Sequence, residues 1–96
     1  MFEGLLPIGT VVMLKNSTKR VMVIGVLQKQ VRDGEPVIWD YSGCFYPEGY
    51  MGPDKTFLFN HDQVETVYAL GYQDQEQFAF REKVNKIRGE LHSQTH

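Results

Sequence analysis

One cysteine stands among 96 residues, so no internal disulfide can brace the fold and its core must come from packing alone. Lysine and arginine number 10 against 12 aspartates and glutamates, a formal charge of -2. The basic excess with which a general nucleic-acid binder neutralises phosphates is missing, and nucleic acid is not an expected partner. Long hydrophobic runs are missing too: the longest nearly apolar stretch, Val21 to Leu27, falls far short of a bilayer span, so no membrane insertion is expected. Residues 1–14 carry no basic leader, and Pro7 and Gly9 interrupt their apolar character, so no signal peptide is read and a cytoplasmic home is the expectation. Repeats, low-complexity tracts and linkers are not visible. What is present is ordinary for a globular chain, 42% hydrophobic and 23% charged, which argues against disorder and predicts a single domain over 1–96.

Pattern and punctuation predict the elements. Thr10 to Lys15 is β-branched and apolar, a buried strand, and Asn16-Ser17-Thr18-Lys19 has the composition of a hairpin turn. Arg20 to Val31 reads as a second strand in which Gly25 marks a bulge or bend. The Asp33-Gly34 pair, with Pro36 beside it, signals the next turn. Val37 to Tyr46 then alternates, with Val37, Trp39 and Tyr41 on one side and Ile38 and Asp40 on the other. Thr56 to Phe59 is a short strand, Asn60 caps a helical turn with Gln63 as its capping-box partner, and Glu65 to Leu70 is a last strand stopped by Gly71. After Asp74, an N-cap with Gln77 three residues on, Phe80, Val84, Ile87 and Leu91 recur at helical spacing with Phe78 beside them. The expected fold is mainly β in the α+β class: a small five-stranded antiparallel meander or open SH3-like barrel over about 5–72, capped by an amphipathic C-terminal helix over about 75–91.

The stretch from Trp39 to Asp62 concentrates the informative side chains, holding the only tryptophan and the only cysteine, three of five tyrosines, three of six phenylalanines and two of four prolines. Trp39, Tyr41, Phe57 and Phe59 are assigned to the core, because strands this short need large side chains. Phe45, Tyr46, Tyr50 and Met51 lie on or beside a Pro/Gly loop that bends outward, where aromatic and methionine side chains give contact area at little entropic cost, and Glu48 and Asp54 rim it with negative charge. These six are the candidate partner-binding residues. Cys44 with His61 and Asp62 has the residue types of a nucleophile, base and orienting acid, but cysteine in a strand is usually an apolar filler. His61 and Asp62 lack a closely spaced second histidine or cysteine for a metal, even with Asp40 or Glu48. Gly43, Gly49 and Gly52 lack the lysine of a phosphate cradle and are assigned to loop geometry. No catalytic residue, metal or cofactor is expected. Lys15, Lys19 and Arg20 form a basic hairpin tip, the one place where an RNA-binding reading has a foothold.

Four ordered blocks, Leu5 to Lys15, Lys19 to Gly25, Trp39 to Gly49 and Phe57 to Asp62, resemble an uncharacterised bacterial family, the domain of unknown function numbered 4176, over about Leu5 to Tyr72. The resemblance implies a Gram-positive context, often close to type VII secretion loci and their LXG-type toxins, and a cytoplasmic accessory role in handling such a toxin or its targeting partners. It implies no activity. The expected function is therefore a small cytoplasmic adaptor or chaperone-like factor without catalysis, holding a protein partner through the Tyr46 to Lys55 loop, with the face of the C-terminal helix as a further candidate contact. A toxin-neutralising role, a Cys44/His61 enzyme and an SH3-like RNA module are the alternatives, and the C-terminal helix leaves a homodimer open.

Overall fold

The computed structural model describes residues 4–94. Five strands, β1 (Val11–Leu14), β2 (Val21–Arg32), β3 (Glu35–Phe45), β4 (Thr56–Phe59) and β5 (Val64–Ala69), form one antiparallel sheet in the order β4-β3-β2-β1-β5, and a helix, α1 (Gln75–Gln94), follows. The two edge strands are consecutive in sequence and are joined by a single 3-10 turn, His61–Gln63, so that the sheet curls until its edges meet at one corner. No helix is long and apolar enough to cross a membrane among the described residues.

Local chemistry explains most of this. Asp33 and Gly34, with φ of 54° and 81°, make the two-residue turn between Arg32 and Glu35, as an Asp-Gly pair favours. The register of β2 on β3 slips between Val23 and Gly25, the bulge that Gly25 signalled. Asp74 caps α1, its Oδ1 accepting the Gln77 N–H at 2.9 Å. Pro36 departs from expectation: it lies inside β3 opposite Val31 rather than in the turn. There the β2–β3 hairpin projects beyond the other strands, for β4 pairs only with Tyr41 to Cys44, so a missing N–H costs no ladder bond.

The core is built from Leu5, Leu6, Val12, Val21, Val23, Tyr41, Phe59, Val64 and Val84. Tyr41 and Phe59 stack at 5.2 Å between centroids, and Phe57 packs against the cluster from its margin. Trp39 is not in it. Placed on the projecting hairpin, the indole is half-buried and its Nε1–H is donated to Gln30 Oε1 at 3.0 Å. Gly43 also departs from its loop assignment, since it sits in mid-strand where a Cβ would lie 2.7 Å from Val21 Cγ1 and 2.9 Å from Phe59 Cε1.

The helix docks on a face rotated from the apolar stripe read from its spacing, keeping Val84 and Leu91 of that stripe and adding Asn85 and Arg88. Among its described side chains Val84 alone is buried, Leu91 is half-covered, and Phe78, Phe80 and Ile87 are exposed. The side facing the sheet carries Asn85 and Arg88, whose polar contacts set the helix's rotation: Asn85 Oδ1 accepts the Leu5 N–H at 3.0 Å, and Arg88 reaches Asp40.

Two glycine substitutions test this packing. Gly43→Ala should cost about 1–3 kcal/mol in urea unfolding through overpacking. Gly89→Ala, where a Cβ meets nothing, should gain about 0.5–1 kcal/mol from helix propensity. Equal effects of the two would contradict the packing described.

Candidate functional site

The loop between β3 and β4 leaves the sheet at Phe45 and is tied down on both sides. Tyr46 N–H is donated to Arg20 O at 3.0 Å, Gly49 N–H to Phe45 O at 2.8 Å, and Lys55 N–H to Gly52 O at 3.0 Å. Gly49 and Gly52 take φ of 82° and 118°, a conformation that side chains rarely adopt, which bears out their loop assignment. Phe45 turns back onto Phe57, 5.1 Å between centroids, and serves as the loop's footing rather than as exposed surface. Tyr46, Tyr50 and Met51 are exposed, Tyr50 at 63%. Asp54 is also exposed, in a 3-10 turn at Pro53–Lys55.

The β1–β2 turn braces this loop with charge. Lys19 Nζ lies 2.8 Å and 3.0 Å from the two Glu48 carboxylate oxygens, and its hydrogen bond holds that carboxyl below the usual carboxylate range. The Arg20 guanidinium stands over the Tyr46 ring, 5.2 Å from its centroid. Two of the three basic residues of the predicted hairpin tip, Lys19 and Arg20, are thus engaged with the loop, as is Glu48, one of its two predicted acidic rim residues.

A second constellation, missed by the sequence reading, gathers where β3, the His61–Gln63 turn and α1 meet. Asp40, expected on the outer side of its strand, is buried, 6% exposed. Arg88 Nε is donated to Asp40 Oδ1 at 2.7 Å and Nη2 to Oδ2 at 3.1 Å, while the His61 N–H is donated to Oδ2 at 2.7 Å. Bonding to Asp40 raises the Arg88 pKa above its ordinary value, against the desolvation that opposes it. Asn60 Oδ1 accepts the Asp40 N–H, and Gln63 Oε1 accepts the Asn60 N–H at 2.7 Å, the Gln63 half of the expected capping box.

The neighbouring Tyr41 hydroxyl lies 2.9 Å from the Leu6 nitrogen and 2.6 Å from His61 Nδ1. Leu6 N–H can only donate, so the hydroxyl oxygen accepts it, and the direction of the bond to Nδ1 follows the tautomer of His61. Burial pushes the Tyr41 pKa up from 10.0 to about 12, with the Leu6 bond opposing and the Asp40 charge adding. Cys44 is fully buried opposite Met22 and Thr56, and about 10 Å of strand separates it from the Tyr41 position where His61 bonds, so thiol and imidazole are not brought together.

Arg88→Ala leaves the buried Asp40 carboxylate with the His61 N–H but without its counter-charge, and should cost about 3–5 kcal/mol of unfolding free energy. Adding Asp40→Asn should recover part of that loss, and no recovery in urea titrations would refute the pairing. For Tyr41, whose folded pKa lies above its ordinary value, the stabilising neutral phenol is fully present below about pH 10 and is lost as pH rises towards 12. Alkaline unfolding should therefore steepen by about 1.4 kcal/mol per pH unit in that window, and Tyr41→Phe should remove this component.

No curated protein and no solved structure matches the chain. The family model described as Domain of unknown function (DUF4176) does, over residues 5–80. That span takes in all five strands, the braced loop, Asp40 and the first residues of α1, and it ends before Asn85 and Arg88. The chain therefore belongs to the family defined by this domain of unknown function.

Proposed function

We propose that the protein is a small non-catalytic binding module that presents the Tyr46–Gly52 loop to another polypeptide in the cytoplasm. The observation that carries this reading is the combination of clamping and exposure: both ends of the loop are hydrogen-bonded, one aromatic roots it and one ion pair braces it, yet Tyr46, Tyr50 and Met51 face solvent. Exposed aromatics held in place lose little entropy on binding, which is the character of interface anchors. Strand order and the 3-10 turn joining the two edges favour an open SH3-like barrel as the scaffold. Burial of Cys44 and the bonding of His61 Nδ1 to Tyr41 favour binding over thiol chemistry.

The kind of partner is proposed from what the family resemblance implies. The resemblance implies a gene neighbourhood close to type VII secretion loci, so the partner is proposed to be an LXG-type toxin or one of its targeting factors, held by an accessory or chaperone-like protein before export. Co-expression with the toxin and targeting proteins encoded beside it, followed by size-exclusion chromatography, tests the reading. The wild-type chain should elute with one of them, and the Tyr46→Ala, Tyr50→Ala double variant, folded by circular dichroism, should elute alone. Co-elution that survives the double substitution would move the site elsewhere.

A further inference from the structure

Exposed large apolar side chains are concentrated away from the loop. Tyr68, Leu70 and Tyr72 follow one another at alternate positions along β5 and its extension, and Ile8 and Phe80 adjoin Tyr72 around a shallow groove. All five are between 44% and 80% exposed, with Tyr72 the most open. The backbone is shaped for this. Gly71 is pressed against the Ile8 carbonyl where no Cβ fits, and its N–H is donated to Thr10 Oγ1 at 3.0 Å, which seats the extension against the start of β1. In the register of β5 on β1, Val12 faces Val67 and Val11 faces Ala69, while Met13 faces Thr66 and Leu14 faces Val64. Tyr68 and Glu65 are the residues left over at the two bulges. Bulges bend a strand and re-aim side chains, and they spoil an edge as a template for strand addition, so recognition here runs through side chains rather than backbone pairing.

Charge on the same segment is one-sided. From Thr56 to Phe80 there are four acidic residues, Asp62, Glu65, Asp74 and Glu76, and no lysine or arginine, whereas the rest of the chain has ten basic residues against eight acidic; the cation beside the groove, Arg81, is turned onto Gln73 Oε1 and the Phe78 ring, which leaves the carboxylates in excess. Asp62 lies in the turn before β5 and Glu65 at the start of that strand, and Asp74 and Glu76 lie at the start of α1, so the apolar row has carboxylates at both ends. A second copy laid on this row in either direction would set acid against acid, and anionic lipid or nucleic acid would be repelled likewise.

We propose that the Tyr68–Leu70–Tyr72 row, with Ile8 and Phe80, is a second protein-docking surface, and that its occupant is an extended polypeptide segment with apolar side chains in the middle and lysine or arginine at both ends. The row with its acidic ends spans ten residues of largely extended chain, about 30 Å, which sets the length of the segment. The apolar side chains provide the contact and the carboxylates fix the choice of partner.

The probe is a fluorescein-labelled 12-residue peptide with two lysines at each end and leucines alternating with serines between, beside a twin in which glutamate replaces every lysine. Fluorescence anisotropy should show the lysine peptide binding at least about tenfold tighter than its twin, and weakening as salt is raised. Tyr72→Ser should weaken it at least about fivefold, as expected for an interface anchor. Glu65→Lys with Glu76→Lys should invert the preference between the two peptides. The Tyr46→Ala, Tyr50→Ala variant should bind the peptide as the wild type does, which separates this surface from the loop. Equal binding of both peptides, no saturable binding, or sedimentation showing a dimer that Tyr72→Ser dissociates would overturn the proposal.

Discussion

A buried carboxylate, Asp40, fixes how the last third of the chain sits on the first two. It receives two hydrogen bonds from Arg88 and one from the His61 backbone, so a single side chain on β3 joins the corner where the sheet edges meet to the helix that covers it. An ion pair in this position is not chosen for net stability, since desolvating both charges cancels much of their attraction. It does set position. With Val84 the one buried residue among the described side chains of α1, apolar contact would tolerate several rotations of the helix, and the Asp40–Arg88 and Asn85–Leu5 bonds select one. That choice leaves Phe80 and Ile87 outside, which is how a helix with an apolar stripe comes to show much of it to solvent.

The parts of the structure that were legible in the sequence are those encoded by neighbours. The Asp33-Gly34 turn, the Gly25 bulge, the Asp74 cap and the Gln63 contact at the corner each depend on a few adjacent residues, and each is found where it was read. Misreadings occurred where the deciding contact is distant. Asp40 and Arg88 are 48 positions apart, and nothing local marks one aspartate out of twelve acidic residues as buried. Alternation put Trp39 on the same side as Tyr41, but could not tell that the sheet narrows to a two-stranded ribbon before reaching it. Gly43 looked like a loop glycine because more loop-like residues follow, whereas its reason lies across the sheet in Val21 and Phe59.

The candidate loop residues divide by the same logic. Their position on a Pro/Gly bend was legible, and Tyr46, Tyr50, Met51 and Asp54 are indeed at the surface. The roles of Phe45 and Glu48 were not, because each is determined by a partner on another element: Phe57 beneath the first, Lys19 beside the second. Side chains that hold a surface in shape and side chains left free to meet a partner are indistinguishable in a linear pattern. Only the fold separates them.

The strand β1 also keeps two exposed regions apart. Its C-terminal end leads into the turn whose Lys19 and Arg20 grip the loop, while its N-terminal end abuts Gly71 and the Tyr68–Tyr72 row. Near the loop, the acidic Glu48 is matched within the molecule by Lys19, and the aromatic Tyr46 by Arg20. Before and after β5, in the turn that precedes it and at the start of α1, four carboxylates lie within a stretch, 56–80, that has no lysine or arginine, next to apolar side chains that the core does not take in. Self-matched charge makes a surface rigid and leaves shape and aromatic contact to do the recognising, whereas one-sided charge beside uncovered apolar area discriminates by the sign of what approaches. Under the two proposals made above, surfaces at opposite ends of one strand would hold two different polypeptides at once, as an adaptor requires and a single-site inhibitor does not.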